Sequence, residues 1–349
     1  MFGNSWSAKG KHCYVSGGSS GLGLELAKLL VKDGAHVSIV ARNEQKLSAA
    51  QTELEGLRVS PGQQIHSYSF SLYALESSTA ALKAASAPHG GKCPDALFLC
   101  AGASKPQFLL EMTEDDIKKG MDDAYWVQAW TAIAGSRMMV EQGIKGKIVL
   151  VGSTLSYFSF VGFASYSPGK YALRGLADTL RSEYILYDIA VQMYFPNTML
   201  TPGYDTENLT KPALTKAIED GDTPVTPATA AKSMYAGIRS GEPHISGDFI
   251  TSVFRASTRG STPYANVFME NIYGFIGWIG LPIWRRVADG MVKKHKAEHR
   301  EWLAQHGIVP GSELAAGSPI SRTSSKAKPD VDANTAGVTM SDLSGAASS

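Results

Sequence analysis

Short apolar runs alternate with longer amphipathic ones through the first half of the chain, and this rhythm restricts the fold more than any other feature. "KHCYVSG" is followed by "LELAKLLVKDG" and "HVSIVAR" by "EQKLSAAQTEL"; "QIHSYSF", "ALFLCAG" and "GKIVLVGS" continue the series. Such alternation predicts βα units on a parallel sheet, because parallel neighbours need a crossover, usually helical, between them. With "VQMYFPN" and "GDFIT" farther on, the expectation is an α/β fold: a doubly wound, Rossmann-type parallel sheet of about seven strands.

The expected division is a catalytic domain over residues 1–255, an apolar C-terminal segment over 256–310 and a disordered tail over 311–349, where Ser, Ala, Gly and Lys dominate. In 349 residues, 44% of them hydrophobic, there is material for a full core. A net charge of +1 gives no general attraction to nucleic acid, and none is expected as a partner. Cys13, Cys93 and Cys100 lack metal-ligand spacing and are too few for a disulfide scaffold, which fits a reducing compartment and no metal site. No apolar run precedes the first strand in "MFGNSWSAKGKHCYVSGG", so no secretory signal is expected.

"YVSGGSSGLGLELAKLL" places Gly17, Gly21 and Gly23 between a strand and a helix. Glycines there let the backbone approach a pyrophosphate, whose charge then meets the helix N-terminus; a purely structural tight turn is the alternative. The second strand ends without the acidic residue that would accept hydrogen bonds from the ribose of NAD. Arg42 follows Ala41 there, with Lys46 a turn later. Cations at that place suit the 2′-phosphate of NADPH, against the alternative of a solvated surface arginine.

In "FASYSPGKYALRGLADTL", Tyr166 and Lys170 stand one helical turn apart and so share a face. A cation near a phenol favours the phenolate and pulls its pKa down; a snorkelling lysine on an ordinary amphipathic face is the alternative. Ser153 ends "KIVLVGS", thirteen residues before Tyr166. With the glycine loop and "CAG" at Cys100–Gly102, this set resembles the short-chain dehydrogenase/reductase superfamily over about residues 8 to 250. The resemblance implies that Tyr166 donates the proton, that Lys170 lowers its pKa and bonds the nicotinamide ribose, and that Ser153 holds the substrate oxygen. It also implies cofactor contacts from Gly17, Ser19, Ser20, Gly21, Gly23, Arg42, Lys46, Ala101, Gly102 and Thr198, beside those of Tyr166 and Lys170.

The chain departs from the superfamily pattern at several positions. Ala124 stands where an asparagine usually orients the water that connects the lysine to solvent, with Gln128 one turn on as a candidate substitute. Cys100, or Leu99 in a shifted register, replaces a second asparagine. Ser69 or Ser71 stands where an acidic residue often meets adenine. These changes bear on the proton relay and the adenine contacts, not on hydride transfer.

"YFPNTMLTPGYDTENLTKPALT", Tyr194 to Thr215, resembles the reductases of this superfamily that act on a long-chain keto-amine lipid in sphingoid-base synthesis, above all in "TPG", "EN" and "KP". That implies an NADPH-dependent ketone reductase. Tyr157, Phe158, Phe160 and Phe163, with Met199 and Leu200, would form an apolar wall for an acyl chain, about half of these aromatics being ordinary core. Reduction of another apolar ketone (a steroid or a 3-ketoacyl lipid) and a non-catalytic NADPH-binding scaffold are the alternatives.

"VFMENIYGFIGWIGLPIW", Val267 to Trp284, carries one charge, Glu270, and precedes Arg285, Arg286, Lys293 and Lys294. A surface-lying or re-entrant membrane element, a span, and a buried or dimer-interface helix all fit. On the membrane reading, Trp278 and Trp284 sit at the interface and the four cations near head groups, at the cytosolic face of the endoplasmic reticulum. A homo-oligomer, dimer or tetramer, is also expected.

Overall fold

The computed structural model describes residues 6–220 and 222–309. The chain builds a seven-stranded sheet in the order β3-β2-β1-β4-β5-β6-β7. Its strands are β1 (His12–Ser16), β2 (His36–Ala41), β3 (Ile65–Ser69), β4 (Ala96–Leu99), β5 (Lys147–Val151), β6 (Ala190–Phe195) and β7 (His244–Ser246). Every neighbouring pair is parallel. All residues of β1, β4 and β5 are buried, as a sheet covered by helices on both faces requires. The order reverses between β1 and β4, which opens a crevice beyond their carboxyl ends.

The crossovers in the first half are α1 (Gly21–Lys32), α2 (Glu44–Glu55), α3 (Leu75–Ser86), α4 (Glu114–Met121) and α5 (Val127–Glu141), a turn of π-helix, Asp122–Trp126, joining the last two. In the second half come α6 (Ser167–Glu183), α7 (Pro202–Thr210), α8 (Ala213–Glu219) and α9 (Pro227–Ser240). Several start on side-chain caps: Asn43 accepts from Lys46 N–H at 2.8 Å, and Thr201 accepts from Tyr204 N–H at 3.1 Å.

The expected strand "GDFIT" is not one. The seventh strand is the preceding "HIS", and Asp248 accepts from Thr251 N–H at 2.7 Å, capping α10 (Phe249–Ser257) instead. Helix α11 (Val267–Lys294) then runs for 28 residues and packs against α10. A Cβ on Gly277 would lie 2.0 Å from Ser257 Oγ, so a side chain there would make the serine hydroxyl turn away. Glu270, the lone charge in the apolar segment, is buried and pairs with Arg255 at 3.1 Å and Arg259 at 3.5 Å, tying α11 to α10.

Among the described residues, those as far as Lys296 form one compact unit and those from Ala297 a second. Among the described residues no helix is long and apolar enough to cross a membrane, which removes the spanning alternative for Val267–Trp284. The tail expected over 311–349 lies outside the described residues.

Candidate active site

One continuous cavity of about 940 Å³ runs along the carboxyl ends of the strands, from the glycine loop to α10 and α11. At one end, Gly17 has φ +69°, and a Cβ there would lie 2.8 Å from Ala101 N; a Cβ on Gly23 would lie 2.4 Å from Gly17 O. Both close approaches exclude any other residue. Ser20 is the N-cap of α1, yet its hydroxyl caps nothing, so first-turn N–H groups remain available to an anion. Gly17, Ser19, Ser20, Gly21 and Gly23 all line the cavity, as do Ala101 and Gly102 beyond β4. This cradle fits a dinucleotide pyrophosphate.

Arg42 and Lys46 also line it, exposed at the rim beyond β2. Arg42 lies 5.4 Å from the ring centroid of Tyr73, on whose ring Lys119 also sits, at 4.9 Å. Ser69 and Ser71 are not on the wall here: Ser69 donates to Arg42 O at 3.1 Å, and Phe70, Leu72 and Tyr73 supply the lining. Thr198 lines the cavity after β6 with its hydroxyl bonded to Asp222. Cys100 borders the cavity, whereas Leu99 is buried within β4.

Ser153 follows β5 and accepts from Leu155 N–H at 3.1 Å, a local turn that turns its hydroxyl outward to the cavity. Tyr166 is the residue before the first turn of α6, and Lys170 N–H donates to its carbonyl at 3.1 Å, so the two side chains share a face. Ser153 and Tyr166 line the same part of the cavity, and the Ser153 hydroxyl acts on the Tyr166 phenol in favour of its ionised form. The structure thus gathers Ser153, Tyr166 and Lys170 at the centre of one cavity.

The expected lowering of the tyrosine pKa by the lysine is absent in this arrangement. Burial, reinforced by the Glu207 carboxylate and opposed by the Ser153 hydroxyl, holds the Tyr166 phenol well above its usual range. Lys170 Nζ lies 5.6 Å from the centroid of the tyrosine ring and donates to Val151 O at 3.0 Å. Its own pKa falls to about 7, because burial disfavours the cation. Tyr166 is therefore a protonated phenol at neutral pH, and Lys170 a group that can exchange a proton near neutrality.

Ala124 does not reach this site. It is buried in the π-turn against α6, where a Cβ on Gly169 would lie 2.7 Å from its own Cβ, so a longer side chain would overlap the helix. Gln128, 1% exposed, occupies the neighbourhood of Lys170 instead. It donates to Val151 O at 2.8 Å and Ala101 O at 3.2 Å, and accepts from Val151 N–H at 2.9 Å.

Beyond the triad the wall turns apolar. Phe158, Phe160 and Phe163 line it, as does Met199, while Tyr157 is core, packed on Phe195 with its hydroxyl 3.3 Å from His244 Nδ1. Leu200 points to solvent, outside the lining. Trp284 of α11 faces inward rather than to an interface, edge-on to Phe158 at 5.2 Å and Phe254 at 5.9 Å. Arg285 turns back as well, donating to Ser159 O at 2.8 Å, and is not free for head groups. Phe254, Leu281 and Glu207 were not identified from the sequence as cavity residues, and Trp284 was expected at a membrane interface instead; the α10 and α11 residues lie far along the chain, with no local signal of the cavity they close.

The model of the short chain dehydrogenase family matches residues 11–211. The chain is 43% identical to 3-ketodihydrosphingosine reductase TSC10 of Cryptococcus neoformans var. neoformans over 304 residues, 87% of this chain and 90% of that protein. It is 36% identical to 3-ketodihydrosphingosine reductase of Dictyostelium discoideum, covering 75% of this chain and 82% of the other. Among solved structures, a short-chain type dehydrogenase/reductase from Mycobacterium marinum superposes with a TM-score of 0.61 at 21% identity, over 69% of this chain and 93% of that one.

Proposed function

Since the chain belongs to the short-chain dehydrogenase family, and within it stands with the 3-ketodihydrosphingosine reductases, we propose that it reduces 3-ketodihydrosphingosine to dihydrosphingosine with NADPH. The observation that carries this reading is the 43% identity across nearly the whole of both chains, together with a cavity that joins Ser153, Tyr166 and Lys170 to an apolar wall. The family implies a nicotinamide cofactor, and the glycine cradle has the shape for it. The choice of NADPH is supported by Arg42 and Lys46, two cations on the rim where an acidic residue would favour NAD.

The bound nicotinamide supplies the hydride for the ketone carbon. Ser153 holds the ketone oxygen by hydrogen bonding, which stabilises the charge that develops there. Tyr166, kept protonated by burial, delivers its proton to that oxygen. Gln128 and the Val151 carbonyl hold Lys170 behind it. The apolar wall takes the alkyl chain and keeps water from the reacting carbon.

The proposal includes the place of work, the cytosolic face of the endoplasmic reticulum membrane. Its support is the outer face of α11, where Phe268, Phe275, Trp278 and Ile283 are exposed on the same helix whose inner face, through Leu281 and Trp284, lines the cavity. Turnover with NADPH and NADH over a panel of ketones tests the whole reading. Preferred reduction of 3-ketodihydrosphingosine with NADPH is expected; preference for a steroid or a 3-ketoacyl lipid refutes it, and turnover of no ketone makes the chain a scaffold.

A further inference from the structure

In the substrate half of the cavity, α7 and α8 bring two carboxylates, Glu207 and Glu219, beside the aromatic wall. Glu207 of α7 is on that wall, in the same cavity as Ser153 and Tyr166. Its Oε1 takes Lys211 Nζ at 2.7 Å, and the same nitrogen lies 2.7 Å from Glu219 Oε2 of α8. Lys211 is buried, 5.7 Å from the ring centroid of Phe163, whose ring in turn lies 6.2 Å from that of Tyr166. The carboxylate pair is therefore one aromatic ring away from the reacting centre.

Two carboxylates share one ammonium, so acid outnumbers base at this wall, while burial pushes the pKa of the Glu219 carboxyl upward. A carboxylate has a second oxygen that can accept from another donor. The other acids on the cavity are engaged elsewhere: Asp222 accepts from Thr198 and Asp248 caps α10. Glu207 is also the carboxylate whose charge reaches the Tyr166 hydroxyl, which it biases towards the protonated form. A wall of this kind fits a cation carried close to the ketone.

The proposed substrate has such a cation, an amino group on the carbon next to the ketone. Resting on that reading of the function, we propose that Glu207 receives the substrate ammonium beside the carbonyl protonated by Tyr166, with Lys211 and Glu219 holding the carboxylate in place. The keto-amine then brings a second positive charge to the two carboxylates. An apolar ketone without nitrogen makes no such contact, so Glu207 selects among ketones that the aromatic wall alone accepts equally.

The test compares 3-ketodihydrosphingosine with its counterparts lacking the amino group or carrying it acetylated, using wild type, Glu207→Gln and Glu207→Asp with NADPH. Wild type is expected to prefer the free amine in kcat/KM by about tenfold or more, the scale of a charge-assisted contact. Glu207→Gln should collapse that ratio towards one through the KM of the keto-amine, and Glu207→Asp should restore part of it, with the KM for NADPH as the check on folding. Equal kcat/KM for the amine and its desamino counterpart in wild type overturns the proposal whether or not the variants fold, while leaving ketone reduction intact. A ratio unmoved by Glu207→Gln in a variant that binds NADPH overturns it too. If wild type turns over neither compound, the function reading falls and this proposal with it.

Discussion

Lys170 and Gln128 donate to the same acceptor, the carbonyl oxygen of Val151, at 3.0 and 2.8 Å. The lysine is thus held by a backbone group that the glutamine fixes from both sides, since Gln128 also accepts from Val151 N–H.

Gln128→Leu removes these bonds without opening space and leaves buried backbone groups unpaired. A loss of about 1–3 kcal/mol in stability is expected for the unsatisfied groups. Because Lys170 also loses the neighbour that fixes its acceptor, kcat should fall more than KM for NADPH rises, and the pH profile should shift. Chemical denaturation and a pH–rate profile check the two parts; an unchanged profile would make Gln128 purely structural.

Tyr166→Phe deletes the proton donor and little else. Reduction should drop by about a hundredfold or more, the usual contribution of a positioned acid, with NADPH affinity within a few fold of wild type. Single-turnover kinetics and cofactor titration measure both quantities. Retention of a tenth of the rate would remove Tyr166 from the role of acid.

Arg42 lines the cavity rim just beyond β2, and the proposed role for it is to meet the 2′-phosphate of NADPH. Arg42→Ala should weaken NADPH by about 1–3 kcal/mol and NADH hardly at all, because only the former carries the phosphate. Equal losses for both cofactors, measured by fluorescence titration, would contradict the assignment.

The sheet and its chemistry were legible because both are local. Glycines between a strand and a helix, and a tyrosine one turn before a lysine, declare themselves within twenty residues. What stayed hidden depends on contacts made across the fold. Ala124 falls at the expected position of a relay residue, but the π-turn aims it at Gly169, and the group beside Lys170 comes from the next turn. Glu270 looked like a charge in an apolar segment and is a buried partner of Arg255 and Arg259. Tyr157 and Phe158 are adjacent in sequence, yet one is core and the other cavity wall. "GDFIT" has strand composition, but a capping aspartate overrides it.

His12 links pH to stability. It is buried, 2.9 Å from Ser38 Oγ and stacked on His89 at 3.8 Å, and burial first, then the His89 charge, lowers its pKa to about 3. The folded state then binds fewer protons than the unfolded chain, whose histidine titrates near ~6.5. Stability is therefore full above about 6.5 and declines as pH falls towards about 3, by at most about 1.4 kcal/mol per pH unit from this group. His12→Asn should flatten that slope in denaturation curves taken across the window. An unchanged slope would assign acid sensitivity to other groups, such as His244, which is also lowered by burial.

The exposed face of α11 bears on how substrate arrives. Each methylene moved out of the bilayer costs about 0.8 kcal/mol, so a long-chain keto-amine seldom leaves the membrane unaided. An enzyme for it has to meet the surface. Phe275 and Trp278 are 62% and 75% exposed and stacked at 6.2 Å. Arg286, Lys293 and Lys294 are exposed farther along the helix, where anionic head groups would meet them. Deleting the helix would also remove Trp284 and Leu281 from the cavity, so the informative change is confined to the outer face. The double variant Phe275→Glu, Trp278→Glu should lose flotation with liposomes of anionic composition while keeping its melting temperature and its turnover of a short, soluble keto-amine. The same face could instead be covered by a second copy of the chain, so both proteins should be sized in solution. Unaltered flotation with a fall from dimer to monomer would make the face an oligomer interface and defeat the membrane proposal.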